Sequence, residues 1–513
     1  MEEVGEECGI CAVYLKNPHE SSSLVPDILV KSLSILQPRG QKSAGIAVYN
    51  PRLPLEDKRK TINRYIGLGR VNEVFRVRDE REYCKLCEDL KGIAGIAHNR
   101  YATSGKRNTD LINLAETQPF IKEHPRSWKR FAMAFNGNLA NYDSLCEVME
   151  YSGYDLETNV DTEILVNLWA LALRENSLHK DDKLPQKPSL FDVSKKIMDK
   201  ADGAYNILTL SGDGSLVIMR DKHGIRPLVY GENEEYYIAA SESIVLEKMG
   251  IKEYRDVLPG EVIICTSKGA ENRRIIEEQK RFCHFELVYF ARQYSTMEGV
   301  KVKECRENLG RELAMIEPLK DKLDSDFVVV PAPKTAITAA KSYAHELNLP
   351  IKDALEKGDE RGFINGLSER TRIMGEYLVY ESDVRNKKII LVDDSIVRGE
   401  TSKVLIKILR NNGALEIHLR STEPAILNPC FYGIDFPDKK ELIAARLKNK
   451  FPDSQLEEIL AKEIGADSIV FQTLNGLIRA TKMPEKELCL ACLNGDYPTQ
   501  AGKLLYEKQI NCA

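Results

Sequence analysis

Lys387-Lys388-Ile389-Ile390-Leu391-Val392-Asp393-Asp394-Ser395-Ile396-Val397-Arg398-Gly399-Glu400-Thr401-Ser402 is an apolar run that ends in two carboxylates, crosses a short loop and enters a helix. A strand stopping on Asp-Asp puts both carboxylates at a sheet edge, within reach of sugar hydroxyls. The N–H groups of the loop and of the helix start can receive a phosphate there. A strand followed by a plain aspartate cap is the commoner explanation of Asp before a helix, but the ordered string is far more specific than a cap. Around it, a helix-like Glu304–Glu317 precedes a strand at Phe327–Val330 and a helix beginning near Thr335. The strand Lys388–Val392, a helix through Asn411 and a strand at Leu415–Ser421 follow. Strands alternating with helices of about 10–15 residues imply right-handed crossovers and a parallel sheet. The sequence therefore predicts a Rossmann-like α/β domain over 286–467. From about Ser468 it predicts a helical tail running to 513 and carrying Cys489-Leu-Ala-Cys492.

Upstream the rhythm differs. Short β-rich runs (Gly9–Leu15, Gly45–Tyr49, Ala204–Leu210, Leu216–Arg220, Tyr236–Ala240, Glu261–Cys265) are separated by polar turns, with helical patterns at Leu24–Leu36 and Asp161–Arg174 and a polar loop at Glu175–Pro188. That mixture suggests stacked sheets in a layered arrangement. At 513 residues the chain needs more than one core, and its 43% hydrophobic and 29% charged content reads as globular. The longest apolar runs are strand-sized, so no membrane span is expected. The acidic start, Met-Glu-Glu-Val-Gly-Glu-Glu, is unlike a secretory signal. A net charge of −5 argues against nucleic-acid binding. Twelve cysteines in a chain with no export signal point to a reducing, cytoplasmic setting, where thiols stay free, bind metal or do chemistry.

One cysteine, Cys8 in Glu6-Glu7-Cys8-Gly9-Ile10, precedes a strand. Alone it would read as a core residue. Three clusters change that reading: Leu36-Gln37-Pro38-Arg39-Gly40-Gln41, His98-Asn99-Arg100-Tyr101-Ala102-Thr103, and Phe135-Asn136-Gly137-Asn138 followed by Asp161-Thr162-Glu163. In this order they resemble the class II glutamine amidotransferases, the N-terminal-nucleophile family. The resemblance implies a four-layer αββα domain over 8–285 and removal of a propeptide, 1–7, so that Cys8 becomes the first residue. Its free α-amino group would then act as base for its own thiol. By the same resemblance the Asn136 side chain and the Gly137 N–H would stabilise the oxyanion. Arg100 would hold the α-carboxylate of glutamine, Asp161 its α-ammonium, and Arg39 would line the same pocket. Pro38 stands where that family commonly has histidine.

The string at 387–402 resembles the phosphoribosyl pyrophosphate motif of type I phosphoribosyltransferases. This implies that Asp393, Asp394, Ser395, Arg398, Gly399 and Thr401 bind phosphoribosyl pyrophosphate, with Mg2+ arriving on the substrate. Together the halves resemble the amidophosphoribosyltransferase family, which opens de novo purine synthesis, from Cys8 to about Thr499. Further matches are Cys283–Arg292, Cys430–Asp435 and Cys489–Pro498. Departures leave the acceptor open. Pro333-Lys334-Thr335-Ala336 stands in place of Pro-Asp-Ser-Gly, and Glu400 in place of a threonine, where an anion should repel a phosphate unless it turns outward. Arg292-Gln293-Tyr294-Ser295 lacks the usual Pro-Asp, and the closing loop around Glu356–Ile364 keeps a partial likeness. A diverged amidotransferase with another ammonia acceptor and a non-catalytic regulatory paralogue remain the alternatives.

Cys283, Cys430, Cys489 and Cys492 match the ligands of a 4Fe–4S cluster in one branch of that family; four thiolates also suit zinc. Cys84-Lys-Leu-Cys87 has the same spacing in a charged helical stretch and reads as packing. A homo-oligomer, often a tetramer, and nucleotide feedback inhibition are implied by resemblance alone.

Overall fold

Alternation along the first strand sets the N-terminal half. In Gly9–Leu15, Ile10, Ala12 and Tyr14 join one apolar cluster while Cys11, Val13 and Leu15 join another, because successive strand side chains point to opposite faces. A strand buried on both faces must lie between two layers. The computed structural model describes residues 8–17, 22–51, 61–101, 114–177, 186–357, 377–448 and 450–511. The leader 1–7, Ala102–Thr103, most of the polar loop (178–185), the greater part of the closing loop (358–364) and Cys512 lie outside the described residues.

Seven antiparallel strands run in the order Tyr254–Asp256, Val229–Glu232, Tyr236–Ala240, Gly9–Leu15, Ala94–Arg100, Ser43–Tyr49, Ile62–Leu68. Six more run Gly269–Arg274, Glu261–Thr266, Leu216–Arg220, Gly203–Ser211, Phe131–Leu139, Phe120–Lys122. The inner faces meet through Ile10, Ala12, Ile96, Ala132, Ala134, Leu208 and Ile218. The helix Leu24–Ile35 covers the outside of the first sheet. The helices Asp161–Asn176 and Leu190–Lys200 cover the second. This is the expected αββα stack.

In the C-terminal half, Phe327–Pro331, Lys388–Asp393, Glu416–Ser421 and Ser468–Phe471 form one parallel sheet in that order. Neighbouring residues again divide between faces. Val329, Ile390 and Val392 pack with Leu313, Ala340 and Tyr343 of the helices Val302–Met315 and Ile337–Glu346. Val330, Ile389 and Leu391 pack with Leu405, Leu409 and Leu460 of the helices Glu400–Asn411 and Leu456–Ile464. Covered on both sides, the sheet is the doubly wound layer that parallel strands require. Ser468–Phe471, expected as the start of the helical tail, is its fourth strand. Beyond it the tail is largely helical (Leu474–Thr481, Ala491–Asn494, Gln500–Asn511). It returns to the N-terminal half where Leu488–Cys489 pairs in parallel with Phe282–Cys283.

Candidate active site

Cys8 opens its strand half-buried, with Sγ 3.7 Å from the Tyr101 carbonyl. Burial pushes the Cys8 thiol above its ordinary value, while Arg100 and Arg39 pull the other way. The next residue is fixed in place: Gly9 N–H donates to Asn99 Oδ1 (2.9 Å), and Asn99 Nδ2 donates to the Leu36 carbonyl (2.7 Å). The strand Phe131–Leu139 crosses opposite, carrying Asn136 and Gly137. Asn136 is buried, and its Nδ2 has no acceptor among the described residues. An unsatisfied buried N–H is costly, so it marks a place for an acceptor that arrives with a ligand. Gly137 has φ +153°, and a Cβ there would lie 2.0 Å from the Ala204 carbonyl oxygen. Only glycine lets this backbone lie so close to its neighbour.

Asp161 begins its helix and accepts the Leu139 N–H at 2.8 Å. Burial pushes its carboxyl up to about 6. Arg100 is buried and ion-paired to buried Glu116. Arg39, expected in the glutamine pocket, is held between Glu242 (2.5 Å) and Glu286 (2.6 Å). Burial works against its charge, yet Glu286 and Glu242 hold it above its ordinary value. Glu242 also accepts from Arg292 N–H (2.9 Å) and Ser295 Oγ (2.6 Å), which ties the N-terminal stack to the second half.

At the end of Lys388–Asp393, Asp394 N–H donates to Asp393 Oδ1 (2.9 Å), and both carboxylates are mostly buried. The Thr335 hydroxyl donates to Asp394, as does Ser395 Oγ (3.3 Å). The loop after Pro331 and the Asp pair therefore form one site. Burial pushes Asp394 up to about 6, against the donors Thr335 and Ser395 and the charge of Arg306. Arg306, which sequence reasoning missed, donates to the carbonyls of Leu287 (3.0 Å), Tyr289 (2.9 Å) and Ala291 (2.7 Å). Gly399 caps the helix at φ +76°, where a Cβ would meet Ile443 at 2.8 Å. Thr401 is half-buried in the first turn, and Arg398 is tied to Glu441 (2.6 Å) and the Asp435 carbonyl (3.0 Å). Glu400 is exposed in the first turn, so the feared repulsion is turned to solvent, where an acidic side chain suits the helix dipole. Lys334 is exposed and follows a cis Pro333–Lys334 peptide.

Cys283, Cys430, Cys489 and Cys492 line a single cavity with Ile225, Phe285, Tyr432 and Tyr497. Burial raises all four thiols, and for Cys283, Cys489 and Cys492 the other thiols of the set add to the rise. The Tyr432 N–H donates to Cys430 Sγ at 3.4 Å. Among the described residues no group of three or more His, Cys, Asp or Glu is set to hold a metal ion as the chain stands. Beside the cavity, buried His284 bridges the Cys489 carbonyl (2.8 Å) and Glu423 (2.6 Å). Cys84 and Cys87 lie on the helix Glu80–Asp89, one exposed and one buried, as a packing role requires.

A cysteine at the head of a four-layer stack, a buried unsatisfied amide on a strand of the opposite sheet, and an Asp pair above a parallel sheet define a class: a glutamine amidotransferase fused to a phosphoribosyltransferase-type domain. The chain is 33% identical over 498 residues to the amidophosphoribosyltransferase of Archaeoglobus fulgidus, covering 96% of this chain and 98% of that one. The chain belongs to the amidophosphoribosyltransferase family. The Bacillus subtilis amidophosphoribosyltransferase is 32% identical over 513 residues, covering 97% and 95%. A family profile described as a glutamine amidotransferase domain matches residues 109–248. Among solved structures, glutamine phosphoribosylpyrophosphate amidotransferase from B. subtilis, complexed with ADP and GMP, superposes with a TM-score of 0.79 at 30% identity, covering 96% and 98%. No described helix is long and apolar enough to cross a membrane.

Proposed function

We propose that the protein makes 5-phosphoribosylamine from phosphoribosyl pyrophosphate and glutamine, the first step of de novo purine synthesis. What carries this reading over a diverged acceptor is the state of the second site. Two of the departures that left the acceptor open are accommodated there: Glu400 is exposed, and the Lys334 loop still reaches Asp394 through Thr335.

Once residues 1–7 are removed, the Cys8 α-amino group takes the thiol proton and Sγ attacks the amide carbon of glutamine. The oxyanion is met by Asn136 Nδ2 and the Gly137 N–H. Ammonia leaves, and water releases glutamate from the thioester. Arg100 and Asp161 hold the ends of the substrate, with Arg39 behind them adding to the field on Cys8. Ammonia then displaces pyrophosphate at C1 of the ribose. Asp393 and Asp394 hold the ribose hydroxyls, the loop Ser395, Arg398, Gly399 and Thr401 receives the 5′-phosphate, and Mg2+ arrives on the pyrophosphate. Although not set to hold a metal as the chain stands, Cys283, Cys430, Cys489 and Cys492 would hold a 4Fe–4S cluster, which would cross-link the tail to the domain junction. Domains follow as 8–285, 286–471 and the tail from 472, the second boundary moved by the strand Ser468–Phe471. By family we assign a cytoplasmic homo-oligomer, a tetramer, under nucleotide feedback.

The deciding experiment is pyrophosphate release by anaerobically purified protein, with glutamine and with ammonia as amine source, alongside iron, sulfide and zinc analysis. Release with both sources and about four irons per chain are the expected results. Glutamine hydrolysis without pyrophosphate release would send the search to another acceptor, and zinc in place of iron would replace the cluster.

The raised Asp161 gives a pH prediction. Only the carboxylate can hold an ammonium, so KM for glutamine should climb as pH falls through about 6. Asp161→Asn should raise KM at pH 8 and flatten that dependence. A wild-type KM unchanged between pH 8 and 5.5 would remove Asp161 from the pocket.

A further inference from the structure

We infer that Lys334 binds the pyrophosphate of the substrate directly and stands in for part of the metal requirement; the inference rests on the phosphoribosyl reading above. The backbone fixes the place. Pro331 lies opposite Val392, and Ala332 N–H donates to the Val392 carbonyl at 2.8 Å, so Pro333-Lys334-Thr335 sits beside Asp393-Asp394 at the C-terminal ends of adjacent parallel strands. Ligands of open α/β sheets bind at those ends. The Thr335 hydroxyl, one residue on, already touches Asp394.

Among the described residues, three other cations around the Asp pair already have partners. Arg398 is bound by Glu441 and the Asp435 carbonyl, Arg306 by three carbonyls, and Lys403 faces Glu463 at 3.6 Å. Lys334 is exposed at the rim, and no ion pair or hydrogen bond of its side chain is found among the described residues. The site therefore offers two carboxylates to a ligand that is itself a polyanion, and among the described residues Lys334 is an ammonium without a partner, placed to face it.

The chemistry of the replacement sharpens the inference. An aspartate in this loop, as the related pattern has, can meet a pyrophosphate only through a bridging cation. An ammonium meets the same oxygens directly, by charge-assisted hydrogen bonds. The exchange should thus move affinity for the pyrophosphate from metal to protein.

The test uses full-length, processed, anaerobically purified protein and ammonia-dependent pyrophosphate release, titrating phosphoribosyl pyrophosphate at several Mg2+ concentrations. Lys334→Ala should raise KM for phosphoribosyl pyrophosphate roughly tenfold to a hundredfold, the usual worth of a charged hydrogen bond, with kcat little changed. Lys334→Arg should restore most of that loss. Lys334→Asp should raise the Mg2+ concentration for half-maximal rate several-fold above that of Lys334→Ala. An unchanged KM in Lys334→Ala, with the wild type active and melting temperatures equal, overturns the inference while leaving the functional reading intact. A wild type that hydrolyses glutamine but releases no pyrophosphate overturns both.

Discussion

Cys8→Ala should leave glutamine-dependent synthesis undetectable, a fall of about 10⁴-fold or more, while ammonia-dependent synthesis stays within about twofold. The asymmetry follows from the placement of the thiol. Among the described residues its thiol meets the Tyr101 carbonyl at 3.7 Å, and it is only half-buried, so its loss costs the fold little. The Asp393–Asp394 site is built on the other half of the chain and keeps every contact. The raised thiol of Cys8 adds a second arm to the same prediction. Near neutral pH it is protonated and needs a base. An α-amino group with a pKa of about 7.7–8.0 supplies one only if the chain begins at Cys8. Protein that still carries residues 1–7 should therefore behave like Cys8→Ala. Pyrophosphate release with glutamine and with ammonium, on samples whose N-terminus is fixed by intact mass, reads both arms. Glutamine use by Cys8→Ala would move the nucleophile elsewhere.

The parts of this protein legible in sequence are those written locally. Gly9–Leu15 and Lys388–Asp393 are buried on both faces and bounded by turn residues, and both were placed within a residue. The Asp-Asp pair, Gly399 and the Asn136-Gly137 step lie in single short strings, so the family resemblance could be read from them. What stayed hidden are partners far apart in the chain. Arg39 reaches Glu242 across 203 residues and Glu286 across 247, and nothing near Arg39 announces either carboxylate. The partners of Arg100 and Arg306 lie only 15–19 residues away, yet no period or motif links them, so they stayed hidden too. Ser468–Phe471 was missed because four residues are too few to show a period, and the helix-rich sequence on either side set the reading.

Asp394→Asn should make the protein more stable and nearly inactive at once. Burial holds the Asp394 carboxyl up at about 6 in the folded chain, against an ordinary value of 3.8. A carboxyl that binds its proton more tightly when folded contributes stability below about pH 3.8. That contribution is lost as pH rises through about 6. Two units correspond to roughly 3 kcal/mol of charge cost at pH 8. Asparagine removes that cost and can still accept from the Thr335 hydroxyl, but it exchanges an acceptor near Ser395 for a donor. A net gain of about 1–2 kcal/mol, or a melting temperature higher by ~2–4 °C at pH 8, is expected. At pH 5, where the wild-type carboxyl is largely protonated, the difference should shrink towards zero. Ammonia-dependent pyrophosphate release should meanwhile fall about 100-fold, because the ionised form is what the ribose hydroxyls and the substrate-borne metal need. Scanning calorimetry at both pH values, beside the activity assay, separates the outcomes. A less stable variant at pH 8 would mean that the chain's own groups already neutralise Asp394, with Arg306 the cation whose charge acts on it. A stabilised, inactive variant would mean that the strand end stores an uncompensated charge, which the arriving cations of the substrate complex, and Lys334 beside it, are placed to meet.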